Sequence, residues 1–125
     1  MLHINPSDEL PIFRQIMRQI TDAVAGGHLA AGERLPSHRE LAAQLVIAPL
    51  TVKKAYDALE REGLIVTQRG RGTFVSNTAF RPDAAESRER LRDAAQRLVS
   101  QAILSGVPLP DVVDLVEDLW KGMKS

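Results

Sequence analysis

The sequence predicts a mainly α protein with a small β-hairpin: a winged helix-turn-helix followed by a two-helix C-terminal dimerisation element. Three observations predict it. Residues 35–63 carry two short amphipathic helical patterns three to four residues apart, the spacing of a helix-turn-helix. Two β-branched or apolar runs follow at once, Leu64–Gln68 and Thr73–Ser76, and they flank the tip Arg69-Gly70-Arg71-Gly72, which is a hairpin signature. Residues 79–125 then hold two amphipathic helical patterns whose apolar surface exceeds what an isolated helical pair covers. The domains expected are residues 1–77, the winged helix-turn-helix, and residues 78–125, the helical segment.

The elements follow in order. Ile12, Ile16, Ile20 and Val24 form an i,i+4 stripe over residues 11–25, widened by Phe13 and Met17. Pro11 suits the first helical turn, and Gly26-Gly27 closes the helix. Residues 28–36 read as a connector broken by Gly32 and Pro36. Ser37 and Glu40 have capping-box spacing, and the helix they open buries Leu41, Ala42 and Leu45. Pro49 opens the next helix, with Val52, Ala55, Tyr56 and Leu59 on one face and a stop at Gly63. Beyond a boundary over Asn77–Pro82, a longer helix starts near Asp83 or Ala84 and ends at Gly106 and Pro108. Pro110 starts the last helix, and the two make an antiparallel hairpin whose excess apolar face calls for a second copy of the chain.

Composition bounds the function. The chain has 125 residues, 44% hydrophobic and 26% charged, which is ordinary globular usage. It has no Cys, so neither a disulfide framework nor a thiolate metal site is available. His3, His28 and His38 show no ligand spacing, and no metal or cofactor is expected. No apolar run approaches the ~20 residues of a membrane span, and the N-terminus lacks the features of a secretion signal, so the cytoplasm is the expected location. Net charge is zero, yet between Arg34 and Val75 seven Lys/Arg face only Glu40, Asp57, Glu60 and Glu62. So small a basic excess implies that tight DNA binding at ordinary salt needs a dimer. No nucleophile elbow, Walker loop or metal cluster is present, so an enzyme is not expected.

Several segments resemble GntR-type bacterial regulators in combination. They are Leu35-Pro36-Ser37-His38-Arg39-Glu40-Leu41-Ala42, Thr51-Val52-Lys53-Lys54-Ala55-Tyr56, Leu59-Glu60-Arg61-Glu62-Gly63-Leu64 and Gly70-Arg71-Gly72-Thr73-Phe74-Val75. Pro11-Ile12-Phe13 with Gln15-Ile16 is similar to the opening helix of that family. The resemblance spans about residues 8–76, and the short tail resembles the two-helix tail of the YtrA-like subfamily. It implies a sequence-specific DNA-binding transcriptional regulator, a repressor, that binds a near-palindromic operator as a homodimer. The alternative is a winged-helix protein-interaction module without operator binding. A small-molecule effector in a small crevice between the two parts of the chain is a further option.

Site residues follow from the motif and the resemblance. DNA contacts are expected from Ser37, Arg39, Thr51, Lys53, Lys54, Arg69, Gly70, Arg71, Gly72 and Thr73. For Arg39, Thr51 and Lys53 the competing reading is a solvated polar face; for Lys54 it is solvent or a single phosphate. Dimer contacts are expected from Leu91, Leu98, Ala102, Val112, Leu115, Val116, Leu119 and Trp120. Tyr56 and Trp120 lie on apolar faces, so packing rather than base stacking is expected of them. Val46 stands where the family usually has Gly, Ala48 where a capping Ser, Thr or Asn is usual, and Leu50 where a polar group is common. Leu50 retains only the capacity for apolar contact, such as with a thymine methyl.

Overall fold

The structure, a computed structural model, describes residues 2–78 and 85–124. The elements are α1 (Ile12–Ala25), β1 (Arg34–Leu35), α2 (His38–Leu45), α3 (Pro49–Arg61), β2 (Ile65–Gln68), β3 (Gly72–Val75), α4 (Ala85–Leu104) and α5 (Leu109–Lys124). They fall into two compact units, Met1–Phe80 and Arg81–Ser125. The start expected for α4, near Asp83 or Ala84, and part of the boundary over Asn77–Pro82 lie outside the described residues.

The core of the first unit is the convergence of three helical stripes on a small sheet. Ile16, Ile20 and Val24 of α1 meet Leu41 and Ala42 of α2, and Val52, Ala55, Tyr56 and Leu59 of α3. Leu35, Ile65 and Val75 close it from the sheet side. Aliphatic side chains dominate, and burial of each contributes roughly 1.5–3 kcal/mol. Pro11 stands at the N-cap rather than inside the first turn, and its carbonyl accepts from the N–H groups of Arg14 and Gln15 at 3.0 and 3.1 Å.

Two glutamines of α1 fasten the N-terminal segment. The Gln15 side chain, only 6% exposed, accepts from Asn5 N–H at 2.9 Å and donates to the carbonyls of Asn5 and Leu10 at 2.9 and 2.8 Å. Gln19 accepts from His3 N–H and donates to His3 C=O, both at 2.7 Å. Each amide serves an extended backbone as a neighbouring strand would, which satisfies groups that partial burial would otherwise leave unpaired. Leu2 and Ile4 are thereby laid against the core.

The expected hairpin is the larger part of a three-stranded antiparallel sheet of order β1-β3-β2. Within it Ile65 pairs with Val75 and Gln68 with Gly72. The connector contributes β1, with Arg34 opposite Phe74 and Leu35 opposite Thr73. Only two residues form this strand, too few for any period-2 pattern to register. In the second unit, the last two helices pack on each other less than the antiparallel hairpin expected of them: α4 and α5 approach closely at few points. Their apolar faces stay largely open: α4 buries no residue and α5 only Val112.

Candidate nucleic-acid interface

The helix pair is set by its caps. Ser37 is the N-cap of α2, with Glu40 N–H donating to its Oγ at 3.0 Å and Ser37 N–H donating to Glu40 Oε1 at 3.3 Å. Those hydrogen bonds, first from the Ser37 backbone and then from its side chain, hold the Glu40 carboxyl below its ordinary value of 4.5, with help from the Arg34 guanidinium. The helix ends at Val46, whose φ of 55° lies in the left-handed region where Gly is usual. α3 then starts at Pro49 without a side-chain cap, because Ala48 at the N-cap offers none. Tyr56 locks the two helices to the connector: its hydroxyl donates to the Pro36 carbonyl at 2.7 Å. Burial, and then the charge of Glu40, push its phenol up to about 12.

The expected contact residues all lie in the first unit. Arg39 sits in the first turn of α2, exposed, and its guanidinium has no partner among the described residues. Thr51 and Lys53 occupy the first turns of α3. Lys53 Nζ is held 2.9 Å from Asp57 Oδ2, both half-exposed, so this pair is readily exchanged for a stronger anion. Leu50, Lys53, Lys54, Asp57 and Arg61 share one shallow depression along α3. Their spacing places them on the face opposite the buried Val52, Ala55, Tyr56 and Leu59.

Lys54 is exposed as expected and Thr73 is not. Lys54 Nζ lies 4.0 Å from the centroid of the Phe13 ring on α1, a cation–π contact made at the surface. Thr73 is 7% exposed, because the odd positions of β3 face the core while its neighbours face out. It therefore serves the sheet rather than an outer surface.

At the wing tip, Arg71 N–H donates to the Gln68 carbonyl at 2.9 Å and closes the turn. Gly70 has φ +79° at the position where a type II turn favours glycine. Gly72, at φ +126°, leaves space that a Cβ would fill 3.0 Å from Arg34 Nε. The Arg34 guanidinium thus lies beside the last strand pair before the wing tip. Three guanidinium groups, those of Arg34, Arg69 and Arg71, gather on the same small sheet, and the residues of all three are exposed. Arg34 escaped the sequence reading because β1 did; the signal available was its place two residues before Pro36. The outer strand is tied to α3 through Glu60, whose Oε1 accepts from Thr67 N–H at 2.8 Å.

The pattern of the bacterial regulatory proteins of the gntR family matches residues 12–75. The chain belongs to that family. Within the GntR family it is 35% identical over 124 residues to the HTH-type transcriptional repressor YtrA of Bacillus subtilis (strain 168), covering 99% of this chain and 95% of that one. Its fold is shared by a transcriptional antiterminator from Listeria monocytogenes EGD-e, with TM-score 0.88 and 30% identity over 100% of this chain and 93% of that one. AraR(DBD), solved in complex with operator ORX1, matches at TM-score 0.53 and 30% identity over 60% of this chain and 93% of its own. The identity over nearly the whole of both chains places the GntR chain beside YtrA.

In the second unit, Leu91, Leu98, Leu115, Val116, Leu119 and Trp120 are exposed and Ala102 is partly so. Val112 departs from the expected dimer surface. It lies in the first turn of α5, just after the chain turns at Gly106–Pro108, and it is covered within its own chain. A separate hollow of about 650 Å³ lies within the first unit, walled by Ile20, Leu29, Leu35, Leu41 and Tyr56. No helix among the described residues is long and apolar enough to cross a membrane.

Proposed function

We propose that this GntR-family DNA-binding regulator represses transcription by holding a near-palindromic operator as a homodimer. Each subunit lays the open face of α3 in a major groove, with Thr51 and Lys53 toward base edges and Arg39 on a phosphate. The wing, with Arg69 and Arg71 at its tip and the Arg34 guanidinium beside Gly72, rests on the adjacent backbone or minor groove. Ser37, Gly70 and Gly72 fix the backbone at these points. The protein acts by binding rather than by catalysis, and it works in the cytoplasm.

The observation that carries this reading is that the guanidiniums of Arg39, Arg69 and Arg71 have no partner among the described residues, on a fold whose hydrophobic core is otherwise closed. All three face solvent, where no carboxylate of the described residues competes with a phosphate for them. The repressor name of the YtrA relative supports the direction of regulation. Band-shift titrations at several salt concentrations test it. Arg39→Ala and Arg71→Ala each weaken binding to every duplex, and each lowers the salt slope by about one for every phosphate left without its guanidinium. Unchanged affinity and slope in both variants would refute the interface.

A further inference from the structure

The first unit exposes few large apolar side chains. Among its described residues these are Val46 at 88% exposure, Leu50 at 77% and, in the wing, Val66 at 38%. The two most exposed are four positions apart, on the turn between α2 and α3 and at the N-terminal end of α3. Neither belongs to the core, which is complete without them. Leu50 shares its depression with Lys53, Lys54, Asp57 and Arg61, so an uncharged aliphatic group stands at the leading end of a charged helical face.

On the DNA-binding reading above, that end of α3 meets base edges. A leucine cannot donate to guanine O6 or N7 and cannot accept from the amino groups of adenine or cytosine. The apolar group that the major groove presents is the 5-methyl of thymine. We propose that Leu50, with Val46 on the preceding turn, reads the 5-methyl group of thymine, so that each operator half-site carries a thymine recognised by apolar contact. The neighbouring Thr51 and Lys53 are left to hydrogen bonds and phosphate, and Leu50 adds discrimination that salt does not screen.

The test uses the full chain and a duplex selected from a random pool. Each thymine is replaced in turn by deoxyuridine, which removes the methyl and keeps the base pair. At one position per half-site the replacement weakens binding about fourfold, and about fifteenfold when made symmetrically in both half-sites, as expected from roughly 0.8 kcal/mol per buried methyl-sized group. Leu50→Ala weakens binding to the thymine duplex by a similar factor and no longer distinguishes thymine from deoxyuridine there. Because Leu50 is solvent-exposed, the variant keeps its fold, and circular dichroism verifies that. Firm duplex binding that ignores every thymine methyl overturns the inference alone, and leaves Val46 and Leu50 to a protein partner. Methyl sensitivity that survives Leu50→Ala overturns it too, by giving the contact to another residue. Absence of any duplex binding at low salt overturns both this inference and the reading beneath it.

Discussion

Val46 shows how one residue can carry a cost that its surroundings do not return. An L-residue in the left-handed region is disfavoured by about 1–2 kcal/mol, and branching at Cβ makes the fit worse. Val46 sits at φ 55° and is exposed, so no packing offsets the strain. Val46→Gly relieves it, while adding backbone freedom to the unfolded chain that subtracts roughly 0.5–1 kcal/mol. The net expectation is a gain of about 0.5–1 kcal/mol and a rise in Tm of roughly 2–4 °C, read by thermal melting of the free protein. A fall in Tm would show that the Val46 side chain makes a stabilising contact after all. At this scale the sequence is legible where burial and chemistry agree, as for Tyr56 or Ile16. It misleads where a residue's type suits two surroundings. Lys54 suits a phosphate and also the face of Phe13, and only the approach of α1 to α3 decides between them. Thr73 is polar enough for a contact residue, but its pleat parity sends it inward.

Among the elements, α2 has the most local determination and α3 less. The capping box of α2 satisfies two amide groups that the helix end would otherwise leave open. Ser37→Ala lowers stability by about 1 kcal/mol in denaturant melts at pH 7. The Glu40 half of the box depends on pH. Its carboxyl is lowered in the folded state, so its contribution is present above 4.5 and disappears as pH falls through the lowered value. The deficit of Glu40→Ala relative to the wild type is therefore largest near neutrality and shrinks on acidification. A deficit constant down to pH 3 would contradict the charged cap. This box was legible because its partners are three residues apart in the chain. The glutamine clasps of α1 and the Glu60 tie to the wing were not: Gln15 reaches Asn5 ten residues away and Glu60 reaches Thr67 seven away. Such bonds depend on tertiary path, to which periodicity is blind. The same holds for β1, whose two residues pair with a strand nearly forty positions later.

For the whole molecule, the open question of surface lies in the second unit. A monomer rarely exposes a continuous apolar patch beyond a few hundred Å². Here Leu91 and Leu98 of α4, and Leu115, Val116, Leu119 and Trp120 of α5, are exposed in the single chain, and the helices cover little of each other. Sequence periodicity identified both helices but supposed that they pair internally, because an amphipathic stripe states that a face must be buried and not by what. The homodimer proposed above would cover them with the same residues on both sides. The wild type should sediment at twice 13.7 kDa at micromolar concentration. Replacing Leu119 and Trp120 together by Asp places charge in the proposed interface and should yield a monomer. The first unit should stay folded in that variant, since its core draws only on residues of the first unit. Operator affinity should then fall by about 10² or more, because the second half-site is no longer engaged at high effective concentration, whereas affinity for an isolated half-site should hardly change. A wild-type monomer, or a double variant that still sediments as a dimer, would remove α4 and α5 from the assembly. Full operator affinity in a monomeric variant would instead show that one subunit reads the operator unaided.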